Sequence, residues 1–312
     1  MCPRGDIFYM GASMAQEMKK ATTYEEQMEK LKERGCVIQD EFFCRSKLAE
    51  INYYRLTAYF LPFKDESDVY REGTNFLQVY RIYEFDRKLR GILFSALEEI
   101  EIYLRSQFSY YHAHKFGPTG YLDEANYSDK HDHEKIKESL AREIESNKKV
   151  PFVKHHIDVY DGVFPIWAIS ELFTFGMLSY FYGDMKTQDM KALASYLYGT
   201  TPKNLVSWLR CCTDLRNICA HYGRLYYRVF SAIPAGMKAP DAAKRRLWGA
   251  VFAVRALYPN AGKWNSEILP SVQALFEEYQ DDIDLYHLAF PADWVQKLNK
   301  VVSVDFDEAA TT

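Results

Sequence analysis

The chain of 312 residues reads as an all-α protein. Three observations predict it. From Phe76 to Phe116, apolar residues such as Leu77, Tyr80, Tyr83, Leu89, Leu93, Leu97, Ile100, Leu104 and Phe108 recur at helical spacing. Helix starts and stops are written clearly, with Thr23 and Thr201-Pro202 at starts and Gly35, Gly183 and Gly223 at stops. No stretch shows a strong strand pattern, and there is no internal repeat, Walker loop or dinucleotide fingerprint.

Taken in order, residues before about Ala21 have weak periodicity and form a loose arm (1–20). Thr23 caps a first helix that Gly35 ends, and a second covers about Asp40 to Ile51. The Tyr53–Phe63 block continues as a helix and stops before Pro62. The Phe76–Phe116 helix is the spine of the fold, with a kink expected near Gly91. A charged, exposed helix covers about Asp129 to Ser146. The apolar run Ile166–Tyr182 contains Glu171 and Gly176 and is too short and polar to span a membrane, so it predicts one buried helix. Glu171 within it needs a cationic partner, because a lone buried carboxylate is costly. Met190–Tyr198 is another helix, and Thr201 caps the next. Ser231–Pro240 is the best linker, followed by a basic amphipathic helix over Asp241–Tyr258 and then acidic helices. The domains expected are therefore 21–230 and a C-terminal helical extension, 241–304.

Nearly half the residues are hydrophobic and 16% are aromatic, enough for a sizeable core and not the composition of a disordered chain. A net charge of −4 excludes a uniformly basic nucleic-acid coat. The charge is uneven, however. Lys203–Arg255 holds ten Lys/Arg against Asp214 and Asp241, whereas Trp264 to the end holds ten Asp/Glu against Lys297 and Lys300. The basic stretch suits a polyanion; a solvated face neutralised by the acidic segment is the alternative. The six cysteines form no CxxC pair and no zinc-ligand array, and they read as reduced thiols of a cytoplasmic protein. His131-Asp132-His133 and His155-His156 lack a third ligand and read as solvated turns, so no metal or other cofactor is expected.

The most informative stretch is Leu215-Arg216-Asn217-Ile218-Cys219-Ala220-His221, with Gly223 just beyond. Asn217 and His221 are four apart and share a helix face, while Arg216 and His221 diverge. This placement puts His221 in the last turn of a helix or just past it. A histidine has an ordinary pKa of about 6.5 and can exchange a proton near neutrality. An arginine matches phosphate oxygens with a planar fork, and Asn217 could orient the imidazole. The same helical arithmetic pairs Glu101 with Arg105, which has six residues between it and His112. Those three either support the Arg216–His221 site from a facing helix or are an ion pair beside an unrelated histidine. Arg224, Tyr226, Tyr227 and Arg228 interleave cations with aromatic rings, and Lys244, Arg245 and Arg246 follow, a composition suited to RNA; core packing is the alternative for the two tyrosines.

The motif Arg216-Asn217 to Ala220-His221 resembles the signature of Abi-like (AbiD/AbiF-type) abortive-infection proteins of the HEPN ribonuclease superfamily. Further blocks agree in order: Tyr24–Gln27 through Leu31–Gly35, Ile51–Tyr59 with Pro62-Phe63, Tyr83–Arg90, Ile100–Arg105, and Pro165–Trp167 through Glu171–Gly176. The resemblance runs from about Tyr24 to about Arg228. It implies a HEPN-like helical bundle with added N- and C-terminal helices, usually a homodimer, that cleaves or binds RNA in phage defence. On that basis the expected function is a metal-independent endoribonuclease with Arg216, Asn217 and His221 catalytic. The alternative is a sensor that grips a small non-coding RNA without cutting it.

Overall fold

The computed structural model describes residues 20–299. Both the loose arm, bar its last residue, and the frayed end expected at Asp305–Thr312 lie outside them. The described chain is all-α: among these residues there is no sheet, only three isolated bridges. It divides into two compact units at Leu77/Gln78.

The first unit holds α1 (Tyr24–Glu33), α2 (Glu41–Glu50) and α3 (Tyr53–Thr57). Thr23 and Glu26 form a reciprocal capping box at the start of α1, which satisfies two backbone donors that would otherwise lack partners. Gly35 turns the chain at φ +88°, a conformation that carries no steric cost without a Cβ. Arg45 and Lys32 tie α2 to α1 through Glu25 and Glu41. The Tyr53–Phe63 block departs from the expected helix. After Thr57 it tightens into a 3₁₀ helix, Ala58–Phe63, that carries Pro62 inside it. Burial of Tyr59, Phe60 and Pro62 against the unit's core outweighs the lost backbone donor.

Helix α4 (Phe76–Phe116) starts at the end of this unit and runs unbroken through Gly91. From Gln78 on it belongs to the second unit. Val79, Ile82, Phe85, Leu89, Leu93, Leu97, Ile100, Leu104 and Phe108 are fully buried along it at three- and four-residue steps. Leu77 is exposed instead, and Val79 and Phe85 are core residues that the sequence reading passed over.

The rest of the second unit consists of α5 (His133–Ser146), α6 (Pro151–Val159), α7 (Ile166–Ile169), α8 (Phe175–Asp184), α9 (Thr187–Tyr198), α10 (Pro202–Ala220), α11 (Asp241–Lys244), α12 (Leu247–Leu257), α13 (Ala261–Lys263), α14 (Leu269–Glu278), α15 (Leu285–Leu288) and α16 (Trp294–Asn299). Helix α10 is the hub, packing on α8, α9 and α12. A π-helical turn, Trp264–Ile268, joins α13 to α14.

Three sequence expectations change here. The run Ile166–Tyr182 is not one helix. It is α7, a 3₁₀ turn at Ser170–Leu172 and α8, because the Thr174 side chain accepts the Met177 N–H and starts a new helix. Glu171 sits on that turn and is exposed, not buried. The basic helix expected over Asp241–Tyr258 is split into α11 and α12. A Cβ at Gly249 would lie 2.1 Å from the Lys244 carbonyl oxygen, so only glycine permits so sharp a corner. Helix α12 is buried nearly all round rather than amphipathic. Its Arg255 donates to the Leu298 carbonyl and lies over the Trp264 ring. The segment after Ser231–Pro240 thus belongs to the same compact unit as α10. The acidic segment pairs with α4, through Arg81–Asp282 and Lys88–Glu278.

Candidate functional site

Thr201 caps α10 and Pro202 occupies its first turn, as their order in the sequence requires. Leu205, Trp208, Leu209, Cys212, Leu215 and Cys219 face the core. At about 100° per residue, Arg210, Asp214, Asn217 and His221 fall on the opposite face within about 60° of one another. Asn217 and His221 are exposed, and neither side chain has a hydrogen bond among the described residues. Arg216 lies about 140° round the helix from His221, at the edge of the buried face.

His221 is the C-cap of α10. Beyond it the chain makes a Schellman turn: the Gly223 N–H donates to the Ile218 carbonyl at 2.7 Å and the Tyr222 N–H to the Cys219 carbonyl. The left-handed position is Tyr222, at φ +56°, not the glycine. Gly223 is required for another reason. A Cβ there would sit 2.9 Å from the Ile218 side chain and 3.2 Å from its carbonyl oxygen.

Two ion pairs on α4 hold the motif and its exit. Asp86 is fully buried and accepts the backbone N–H groups of Leu225 and Tyr226 at 3.1 and 2.7 Å. Arg90 pairs with Asp86 and donates to the Gly223 carbonyl. Four residues apart on a helix, these two had the same signature as Glu101–Arg105, and spacing alone could have flagged them.

Glu101, 8% exposed, is the second clamp. One of its carboxylate oxygens accepts from Arg105 at 2.6 Å. The other stands 3.5 Å from Nε of Arg216, close enough to pair but without a hydrogen bond. Arg105 also donates to the Phe173 carbonyl and lies 3.8 Å from Glu171, the cationic partner that the sequence required for that carboxylate. Phe94, Glu98, Glu101, Ile102, Arg105 and Arg216 enclose a notch of about 320 Å³.

The structure thus brings Arg216, Glu101 and Arg105 together. It does not bring His112 to them. His112 lies about 16 Å further along α4 from Glu101, caged by Phe116, Phe181 and Tyr127, with neither ring nitrogen hydrogen-bonded. Burial pushes its pKa down to about 4.

The expected RNA-contacting residues divide. Arg245 is exposed. Lys244 pairs with Asp241, Arg228 covers Phe230, and Arg246 lies over the Tyr227 ring with one terminal nitrogen buried and unbonded. Arg224 is half-buried. Tyr226 is core: its hydroxyl accepts from the Asp284 N–H and shares a hydrogen bond with His287. Tyr227 is half-buried between Arg246 and His287, at φ +57°.

Among the described residues no group of three or more His, Cys, Asp or Glu side chains is arranged to hold a metal ion. His131 is not on a solvated turn. It is buried, stacked on Tyr127 and 3.1 Å from Asp184. Cys36, Cys44, Cys211 and Cys219 are buried thiols whose pKa values burial raises to about 12. No described helix is long and apolar enough to cross a membrane.

The model of the Abi-like protein family matches residues 46–227, more than half of the chain, with Glu101, Arg105, Arg216, Asn217 and His221 inside the match and Arg228, Lys244, Arg245 and Arg246 beyond it. The chain belongs to the Abi-like family. Comparison with curated proteins and with solved structures finds no match. Membership of the Abi-like family links the chain to abortive infection, the defence against phage. The Abi-like region contains both clamps on α4 and the whole of α10.

Proposed function

We propose that the protein is a metal-independent endoribonuclease of the HEPN type that acts in abortive infection. Its chemistry is attack of an RNA 2′-hydroxyl on the adjacent phosphate, releasing a 5′-hydroxyl strand and leaving a 2′,3′-cyclic phosphate. His221 exchanges the proton, Arg216 stabilises the charge that develops on the phosphate, and Asn217 orients the imidazole. Glu101 and Arg105 hold the Arg216 side chain in place, and Arg224, Arg228, Lys244, Arg245 and Arg246 carry the RNA backbone.

The observation that carries this reading is the exposure of Asn217 and His221 on a helix whose opposite face is core. Their side chains bond to nothing among the described residues and stabilise nothing evident in the fold. Arg216 and His221 diverge on α10, and one histidine cannot be base and acid in the same step. A two-fold homodimer that sets two motifs face to face supplies both groups.

The test is incubation of labelled RNA with the protein in EDTA, beside His221→Ala. Cleavage with cyclic phosphate ends, lost in the variant, supports the nuclease. A second reading rests on the Glu101 carboxylate beside Arg216, which offsets its charge: a protein that grips a small RNA without cutting it. RNA bound but uncut by every form would select that reading.

A further inference from the structure

A cavity of about 840 Å³ opens on the same face of α10 that carries His221. Val206, Arg210, Thr213 and Asp214 form one wall, α8 and α9 the others, and residues 128–130 and Ser231 close the ends. Its lining mixes apolar surface with the side chains of Ser128, Ser179, Thr187, Thr213 and Ser231. Two of its carboxylates are engaged, Asp184 by His131 and Asp214 by the Ser231 hydroxyl at 3.0 Å. Arg210 and Lys130 are exposed and have no ion pair or hydrogen bond among the described residues. Tyr180, also in the lining, is 65% exposed and its ring packs on no other ring there. A core-packing role explains none of these three.

Arg210 also has a fixed relation to the motif. It precedes Asn217 by seven residues and His221 by eleven, so all three stand on one stripe. The rise along that stripe from Arg210 to His221 is about 16 Å, a few nucleotides of extended strand.

We propose that this cavity is a subsite for single-stranded RNA, which leads the strand along α10 to His221. Tyr180 stacks a base, Arg210 and Lys130 take phosphates, and Asp129, unpaired among the described residues, accepts a base amino group. The subsite rests on the RNA reading above and extends it by naming the residues that bind the strand away from the bond to be cut. Gly183 keeps the cavity open: a Cβ at that position meets nothing within 4 Å, so a larger side chain there projects into free space.

The experiment is equilibrium binding of a short fluorescent single-stranded RNA to His221→Ala protein in EDTA, with further substitutions in that background. Arg210→Glu is expected to weaken binding about tenfold or more and to lower the slope of log affinity against log salt by about one. Tyr180→Ala and Gly183→Phe are expected to weaken it about tenfold. Lys149→Glu, an exposed cation outside the cavity, leaves it unchanged. Thermal melts confirm that the variants are folded. Unchanged affinity in both Arg210→Glu and Gly183→Phe overturns the subsite while the nuclease reading stands. A folded His221→Ala protein that binds no RNA at all overturns both.

Discussion

Nε of Arg216 stands 3.5 Å from the carboxylate of Glu101, a residue of a helix that ends long before the motif begins. The same carboxylate holds Arg105, which reaches the Phe173 carbonyl. Glu101 therefore stands between Arg105 and the motif's cation, in the lining of the notch.

Removing that carboxylate should disturb Arg216 before it disturbs the fold. Glu101→Gln keeps the shape but leaves two guanidiniums without their shared charge. The expected outcome is a destabilisation of about 1–3 kcal/mol and a drop in RNA cleavage of tenfold or more, with RNA affinity little changed. Denaturant titration and single-turnover cleavage check it. Full cleavage activity in Glu101→Gln would show that Arg216 needs no such positioning.

Asp86→Ala should be the more damaging change to stability. It strands Arg90, 5% exposed, and deprives the Leu225 and Tyr226 N–H groups of their acceptor. A loss of about 3–5 kcal/mol is expected from unfolding in urea. A loss below about 1 kcal/mol would mean that the loop after His221 is anchored by other contacts.

Gly223→Ala tests the turn that presents His221. The added methyl meets the Ile218 side chain and carbonyl at 2.9 and 3.2 Å. Overpacking of this kind costs about 1–3 kcal/mol, and the shift falls on the residues next to His221. Reduced cleavage together with a lowered Tm is the expected pair of results, and a variant with wild-type values of both would remove the argument.

His112 makes stability depend on pH. Its folded pKa is about 4, against 6.5 for the free side chain, because burial disfavours the charged ring. Between those values the unfolded chain binds the proton and the folded chain does not. Stability is therefore intact above about pH 6.5 and is lost as pH falls towards about 4, by up to about 3 kcal/mol. Comparison of urea midpoints at several pH values with those of His112→Phe checks it; the variant should lose this part of the slope. Identical slopes would show that the carboxylates alone govern the acid limb.

The proposed dimeric active site predicts that His221→Ala is dominant. A mixed dimer of wild type and His221→Ala holds one histidine and should not cleave, so equal mixing with subunit exchange should lower cleavage to about a quarter of the wild-type value. A fall to only about half, with exchange verified, would place base and acid in one chain.

Helix existence and the position of the motif were legible because both depend on neighbours in the sequence. Periodicity marked α4, Thr201-Pro202 marked the start of α10, and His221 fell at its end as expected. The resemblance in blocks from Tyr24 to Arg228 anticipated a family match over residues 46–227. Reading failed where a local signal competed with burial. The Ile166–Tyr182 run looked continuous because apolar composition says nothing of the cap that Thr174 supplies. Lys244-Arg245-Arg246 suggested an amphipathic helix, yet the helix that follows them is buried and Arg255 goes inward with it. Tyr226, whose place in the sequence suited either base stacking or core packing, is core, since Asp86, far away in sequence, pulls its backbone inward.

The sequence by itself determined the helices, their caps, the family and the residues of the motif, since each follows from spacing of a few residues. Only the tertiary structure decided which way those residues face. It tied Arg216 to Glu101, sent His112 into an aromatic cage and left Asn217 and His221 on an open stripe beside the Arg210 cavity. The physical reason is range: capping and periodicity act within one or two turns, whereas these pairings are set by how α10 packs against α4, α8 and α12.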